Sequence, residues 1–181
     1  NYGLIESQLS NEVYHALLKE CLSENKKEFK SRLTEQSLAE EIKIVKHFYL
    51  KDNIKNLYDV VGAMINQYRY EYSNYFNNNL KNASGNLELG EPWINIQKKH
   101  EYVPYHEHEG ILSYVIWIKM PVKSIFEFSY TNILGNILPH KIILDSKNEG
   151  QMIMFPSSLR HMVYPFQESE ETRISISGNV I

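Results

Sequence analysis

The sequence predicts an α+β chain in which a helical region, residues 1–86, packs on a β-sandwich or jelly roll formed by residues 87–181, the two making one functional domain. Three observations carry this. Before about residue 80, apolar residues recur at three- and four-residue steps, the period of a helix with one buried stripe. After it, short β-rich runs are separated by Gly, Pro, Asn and Asp. No helical run intervenes between those β segments, which excludes parallel βαβ units and favours antiparallel pairing.

In order along the chain, Ser10 is placed to cap a helix that carries Val13, Leu17 and Cys21 on one face. A second helical run holds Leu38, Ile42, Val45 and Tyr49. The third is the clearest. Asn53 caps it, and Ile54, Leu57, Tyr58, Val61, Ile65, Tyr68, Tyr72 and Tyr75 fall on one stripe that packs on the rest of the protein. A polar, turn-rich break covers 77–86. Strands are then expected at 93–99, 102–106, 111–120, 124–130, 140–144, 152–155, 161–164 and 172–177.

The 181 residues suffice for one sizeable core. A net charge of −3 gives no electrostatic argument for nucleic acid or an anionic membrane. No stretch reaches the ~18 apolar residues of a span. Cys21 is the only cysteine, which excludes an internal disulfide and a thiolate metal cluster and suggests a reducing cytoplasm. Abundant Asn, Lys, Ile and Tyr suggest an AT-rich genome, viral or bacterial. The expected location is therefore cytoplasmic, that of a bacterial host if the chain is viral.

The chemistry concentrates in Tyr105-His106-Glu107-His108, His161 and Arg173-Ile174-Ser175. In a strand, residues i and i+2 share a face, so His106 and His108 project together and Glu107 projects away. His161, from a strand able to pair beside the first, supplies a third nitrogen. Three protein ligands on one face leave open positions for a co-substrate and dioxygen at a non-haem metal. Arg173 and Ser175 share a face by the same parity. A guanidinium inside a barrel needs an anionic partner, and a bound dicarboxylate can be that partner. Asn95 is a further candidate to hydrogen-bond such a co-substrate, as are Tyr105 and Tyr114. The remaining histidines, His15, His47, His100 and His140, read as surface or hydrogen-bonded core residues, and Arg160 reads as outward-facing.

These residues fall in an ordered set. It runs through Trp93-Ile94-Asn95, His106-Glu107-His108, Gly110 to Tyr114, Met120-Pro121, Gly150 to Ser157, His161, Pro165, and Arg173 to Asn179. Over this half of the chain the sequence resembles the iron(II)- and 2-oxoglutarate-dependent oxygenases. It looks most similar to small oxygenases of tailed phages and marine bacteria related to prolyl hydroxylases. The resemblance implies a double-stranded β-helix, a cupin-like jelly roll, and Fe(II), 2-oxoglutarate and O₂. It further implies metal ligation by His106, His108 and His161, a 2-oxoglutarate carboxylate on Arg173 with Ser175, and release of succinate and CO₂. The substrate implied is a peptide, protein or small molecule, with a peptidyl proline one candidate. One departure stands out: the family pattern is His-x-Asp or His-x-Glu, and His108 occupies the carboxylate position. Two other readings stay open. One is a cupin-like three-histidine metalloprotein that does not use 2-oxoglutarate, although Leu112 stands where a cupin carries glutamate. The other is a non-catalytic phage or structural module with a vestigial site. The sequence leaves the oligomeric state open.

Overall fold

The computed structural model describes residues 3–29, 45–75 and 87–181. Eleven strands and two long helices are described: β1 (Ile5–Gln8), α1 (Asn11–Leu22), β2 (Glu28–Phe29), β3 (Lys46–Tyr49), α2 (Ile54–Glu71), β4 (Trp93–Gln97), β5 (Val103–His106), β6 (Leu112–Lys119), β7 (Ser124–Thr131), β8 (Ile137–Leu144), β9 (Gln151–Pro156), β10 (Arg160–Val163) and β11 (Arg173–Val180). All eight strands expected after residue 87 are present. They form two facing antiparallel sheets, a larger one ordered β1-β9-β6-β11-β4-β3-β2 and a smaller one ordered β5-β10-β7-β8.

The larger sheet is buried on both sides, which is why Tyr114 to Ile118 of β6 read as a continuous apolar run rather than an alternation. One face of it, carrying Tyr114, Ile116, Ile174 and Ile176, packs under Leu17 of α1 and Leu57, Val61 and Tyr68 of α2. The other face carries Val115, Trp117, Ile153 and Phe155 and meets Phe126 and Phe128 of the smaller sheet. Tyr68 of α2 and Tyr75 just beyond it bind this segment to the barrel through backbone carbonyls: Tyr68 Oη donates to Gly3 at 2.9 Å and Tyr75 Oη to Ile111 at 3.1 Å.

The N-terminal region is not purely helical. Its β1 pairs with β9 and its β3 with β4, so it widens the larger sheet. The expected second helix is corrected where it is described: Tyr49 ends β3, and Val45 directly precedes it. Val45 and Tyr49 are four apart, which fits a helix turn, but pairing with the β4 edge decides the local structure. Leu38, Ile42 and the polar break at 77–86 lie outside the described residues. The cap of α1 is as expected, with Ser10 Oγ accepting from Val13 N–H. That of α2 is not: the Asn53 side chain donates to Glu20 Oε2 at 2.8 Å instead. Among the described residues no helix is long and apolar enough to cross a membrane.

Candidate metal centre and anion anchor

Antiparallel pairing of β5 with β10 sets His106 directly opposite His161. His106 Nδ1 lies 2.8 Å from the Pro104 carbonyl and His161 Nδ1 lies 2.9 Å from that of Leu159. A carbonyl only accepts, so each Nδ1 carries the proton and donates. This leaves both Nε2 atoms unprotonated, the tautomer a metal requires. His108 joins them by a different route from the one its spacing suggested. The strand ends at His106, and His108 is held by its own N–H, which donates to the Ser157 carbonyl at 2.9 Å. Gly110 then turns the chain into β6 with φ of 101°, where a Cβ would come within 2.6 Å of the Val180 carbonyl oxygen.

One nitrogen from each of the three imidazoles lies within 4.8 Å of the others. Neither Glu107 nor Glu109 joins this cluster, although both border the cavity mouth. Burial lowers the pKa of all three histidines, His108 to about 3, and keeps them in the neutral form that ligates. The donor set and its protonation fit a divalent metal held by three imidazoles.

The imidazoles face a cavity of about 710 Å³. Its opposite wall is built by β4 and β11, whose register pairs Gln97 with Arg173, Asn95 with Ser175 and Trp93 with Ser177. All six side chains line the cavity. Arg173 is 6% exposed, and its Nη1 is buried with no hydrogen-bond partner among the described residues. Burial pulls its pKa down to about 9. A buried cationic donor without an acceptor fits a carboxylate that arrives with a ligand.

The structure redistributes the other candidates. Ser175 borders the cavity. Asn95 does too, but its amide is taken up by Trp93, Ser175 and Ser177. Tyr105 lies at the mouth, yet its hydroxyl donates to Glu127 on the outer face of the smaller sheet, a correction to its expected role. Tyr114 is also corrected: it sits in the helix-side core, opposite in parity to the cavity residues Val115 and Trp117. His47 was missed. It lies on β3 opposite Asn95, lines the cavity and is 6% exposed. Arg160 faces outward, over the Tyr105 ring.

Two facing antiparallel sheets with a histidine cluster on one wall and a lone guanidinium on the other define a double-stranded β-helix metalloprotein. A family model described as "Putative 2OG-Fe(II) oxygenase" matches residues 91–179, and this part of the chain belongs to the iron(II)- and 2-oxoglutarate-dependent oxygenases. The family uses Fe(II), 2-oxoglutarate and O₂, and the chain is an enzyme of that type. Similar folds include a prolyl-4-hydroxylase of Pseudomonas putida, 16% identical, with TM-score 0.63 over 98% of this chain and 92% of that one. A Trichoplax adhaerens prolyl hydroxylase in complex with a hypoxia inducible factor peptide is 11% identical, with TM-score 0.64 over 100% and 84%. The α-ketoglutarate-dependent epimerase SnoN of nogalamycin biosynthesis is 12% identical, with TM-score 0.64 over 99% and 77%. A search of curated proteins finds no match.

Proposed function

We propose that the protein is a 2-oxoglutarate-dependent hydroxylase in which His106, His108 and His161 hold iron(II) and Arg173 with Ser175 holds the distal carboxylate of 2-oxoglutarate. The observation that carries this is a pairing across one cavity: three neutral imidazoles on β5, the following loop and β10 face a buried guanidinium on β11 whose Nη1 has no partner among the described residues. Iron(II) and 2-oxoglutarate supply the oxidising chemistry when bound: O₂ is reduced, 2-oxoglutarate is decarboxylated to succinate and CO₂, and a substrate C–H bond is hydroxylated.

The chain's own residues do the rest. The Pro104 and Leu159 carbonyls hold the His106 and His161 rings in one tautomer and orientation. Arg173 gives the co-substrate one direction along the cavity, its buried Nη1 finding an acceptor in the distal carboxylate. Val115, Trp117, Phe126 and Val163 line the cavity with apolar surface and exclude water from the reacting end. With His108 in place of a carboxylate the ligand set is neutral, so the bound metal keeps one more unit of positive charge.

A peptidyl substrate, with proline as the first residue to test, is the substrate class supported by the likeness to two prolyl hydroxylases. Trp93, Glu107 and Glu109 line the same cavity as the histidines and are placed to meet such a substrate. The test is succinate formation from Fe(II), 2-oxoglutarate and O₂, with and without proline-containing peptides. Iron-dependent succinate stimulated by peptide supports the reading, and no iron-dependent succinate with any substrate would remove it.

A further inference from the structure

The wall of the cavity opposite the histidines carries a hydrogen-bond chain whose direction is fixed at one end. Trp93 Nε1–H donates to Asn95 Oδ1 at 3.1 Å. An indole nitrogen can only donate, so this contact settles which end of the Asn95 amide faces Trp93. The amide nitrogen therefore faces β11, where its hydrogens go to Ser175 Oγ at 3.2 Å and Ser177 Oγ at 2.9 Å. Both hydroxyls accept in these bonds, and the hydrogen of each is left to donate elsewhere. Among the described residues neither finds an acceptor. Both serines line the cavity on the same face of β11 as Arg173.

We propose that Asn95 is a positioning residue that sets the polarity of Ser175 and Ser177, so that both hydroxyls donate into the cavity and, with Arg173, form a donor-only wall for a carboxylate-bearing ligand. The inference rests on the reading that 2-oxoglutarate occupies this cavity. Asn95 need not touch that ligand, because Trp93 and the two serines already take its oxygen and both of its amide hydrogens. It acts through the serines, and it brings Ser177, which had no assigned role, into the binding wall.

Two near-isosteric substitutions separate polarity from shape. Asn95→Asp is acceptor-only. Trp93 still donates to it, but the serine hydroxyls must now donate to Asp and turn their lone pairs toward the ligand. Asn95→Leu leaves the hydroxyls free to rotate and donate. The readout is the 2-oxoglutarate Kd of the Mn(II)-loaded protein by anaerobic calorimetry, with a thermal melt of each variant. Asn95→Leu is expected to weaken binding by about fivefold and Asn95→Asp by about 100-fold, roughly a factor of ten for each charge-assisted hydrogen bond lost. In a Ser175→Ala/Ser177→Ala background the gap between the two variants should shrink by at least about tenfold, because the groups that transmit polarity are gone. Equal Kd values for the two variants, or a gap unchanged in that background, would overturn the inference and assign the effect to packing or to charge alone. Trp93→Phe tests the same point without a charge and serves if Asn95→Asp does not fold: the amide is freed to flip, and a loss of about fivefold is expected. Unchanged affinity there also overturns it. Absence of 2-oxoglutarate binding by the unaltered protein would instead defeat the functional reading on which the inference stands.

Discussion

Replacing Arg173 with methionine should make the ligand-free protein more stable while destroying its affinity for 2-oxoglutarate. The guanidinium is 6% exposed, its Nη1 has no partner among the described residues, and its pKa falls from 12.5 to about 9. At 1.36 kcal/mol per tenfold, that depression corresponds to roughly 5 kcal/mol of cost for holding the charge unpaired. Because the folded pKa lies below the unfolded one, the cost is present at every pH below about 9 and fades as pH rises from there toward 12.5. The gain expected on removing the charge is about 2 kcal/mol, within the range found when buried charges give way to apolar side chains. For a chain of this length that is a rise of roughly 4–8 °C in Tm. The assay is a pair of thermal melts at pH 7, with and without Mn(II) and 2-oxoglutarate. The unaltered protein should start lower and gain Tm on adding 2-oxoglutarate, whereas Arg173→Met should start higher and gain nothing. A ligand-free variant less stable than the parent would show instead that Arg173 supports the fold and not a ligand.

Three further expectations follow from the same cavity. His106→Ala and His161→Ala should each weaken Mn(II) binding by at least about 100-fold, more than loss of an outer-sphere partner costs, whereas His108→Asp should retain it; calorimetric Kd values check this, and a His108→Asp variant that no longer binds metal would count against His108 as a ligand. The metal-free protein should lose stability as pH falls below about 6.5, because the unfolded chain takes up protons that the native state refuses: burial holds His47 at about 4 and His108 at about 3, with His106 and His161 also lowered. Above that pH their contribution is flat. Urea midpoints from pH 7 to pH 5 read this slope, and His47→Asn should reduce it; a flat profile would contradict it. Finally, Glu127 is a buried carboxylate that accepts from the Tyr105 and Tyr164 hydroxyls and faces Lys141 at 3.6 Å, joining the strand of His106 to the turn after that of His161. Glu127→Leu should cost about 2 kcal/mol or more by leaving these donors unpaired, read as a fall in Tm, and an unchanged Tm would show that water replaces the carboxylate freely.

The barrel was legible because its strands are short, bounded by turn residues and free of helical runs between them. The cavity's principal residues were legible because parity alone puts Arg173 and Ser175 on one face of β11. What failed did so for identifiable reasons. His47 stands alone in the sequence, with no second ligand type at a telling spacing, and only pairing of β3 with β4 turns its segment into cavity wall. Tyr114 lies in a strand apolar on both faces, so nothing local says which face meets the cavity. Tyr105 precedes His106 in β5, so the same alternation that aims His106 inward carries the Tyr105 hydroxyl to Glu127 on the outer face. His108 joins its partners although the strand stops two residues before it, so the parity argument named the right neighbour for the wrong local structure.

On this reading one cavity holds iron on three histidines and 2-oxoglutarate on Arg173 at the same time. Anaerobic titration of 2-oxoglutarate into the Fe(II)-loaded protein, followed by visible absorption, tests both halves together, because a charge-transfer band arises only when the co-substrate chelates the metal. A saturable band is expected with one equivalent of iron, lost in His161→Ala and shifted to far higher 2-oxoglutarate concentration in Arg173→Met. An iron-loaded protein that develops no band at any 2-oxoglutarate concentration would contradict it.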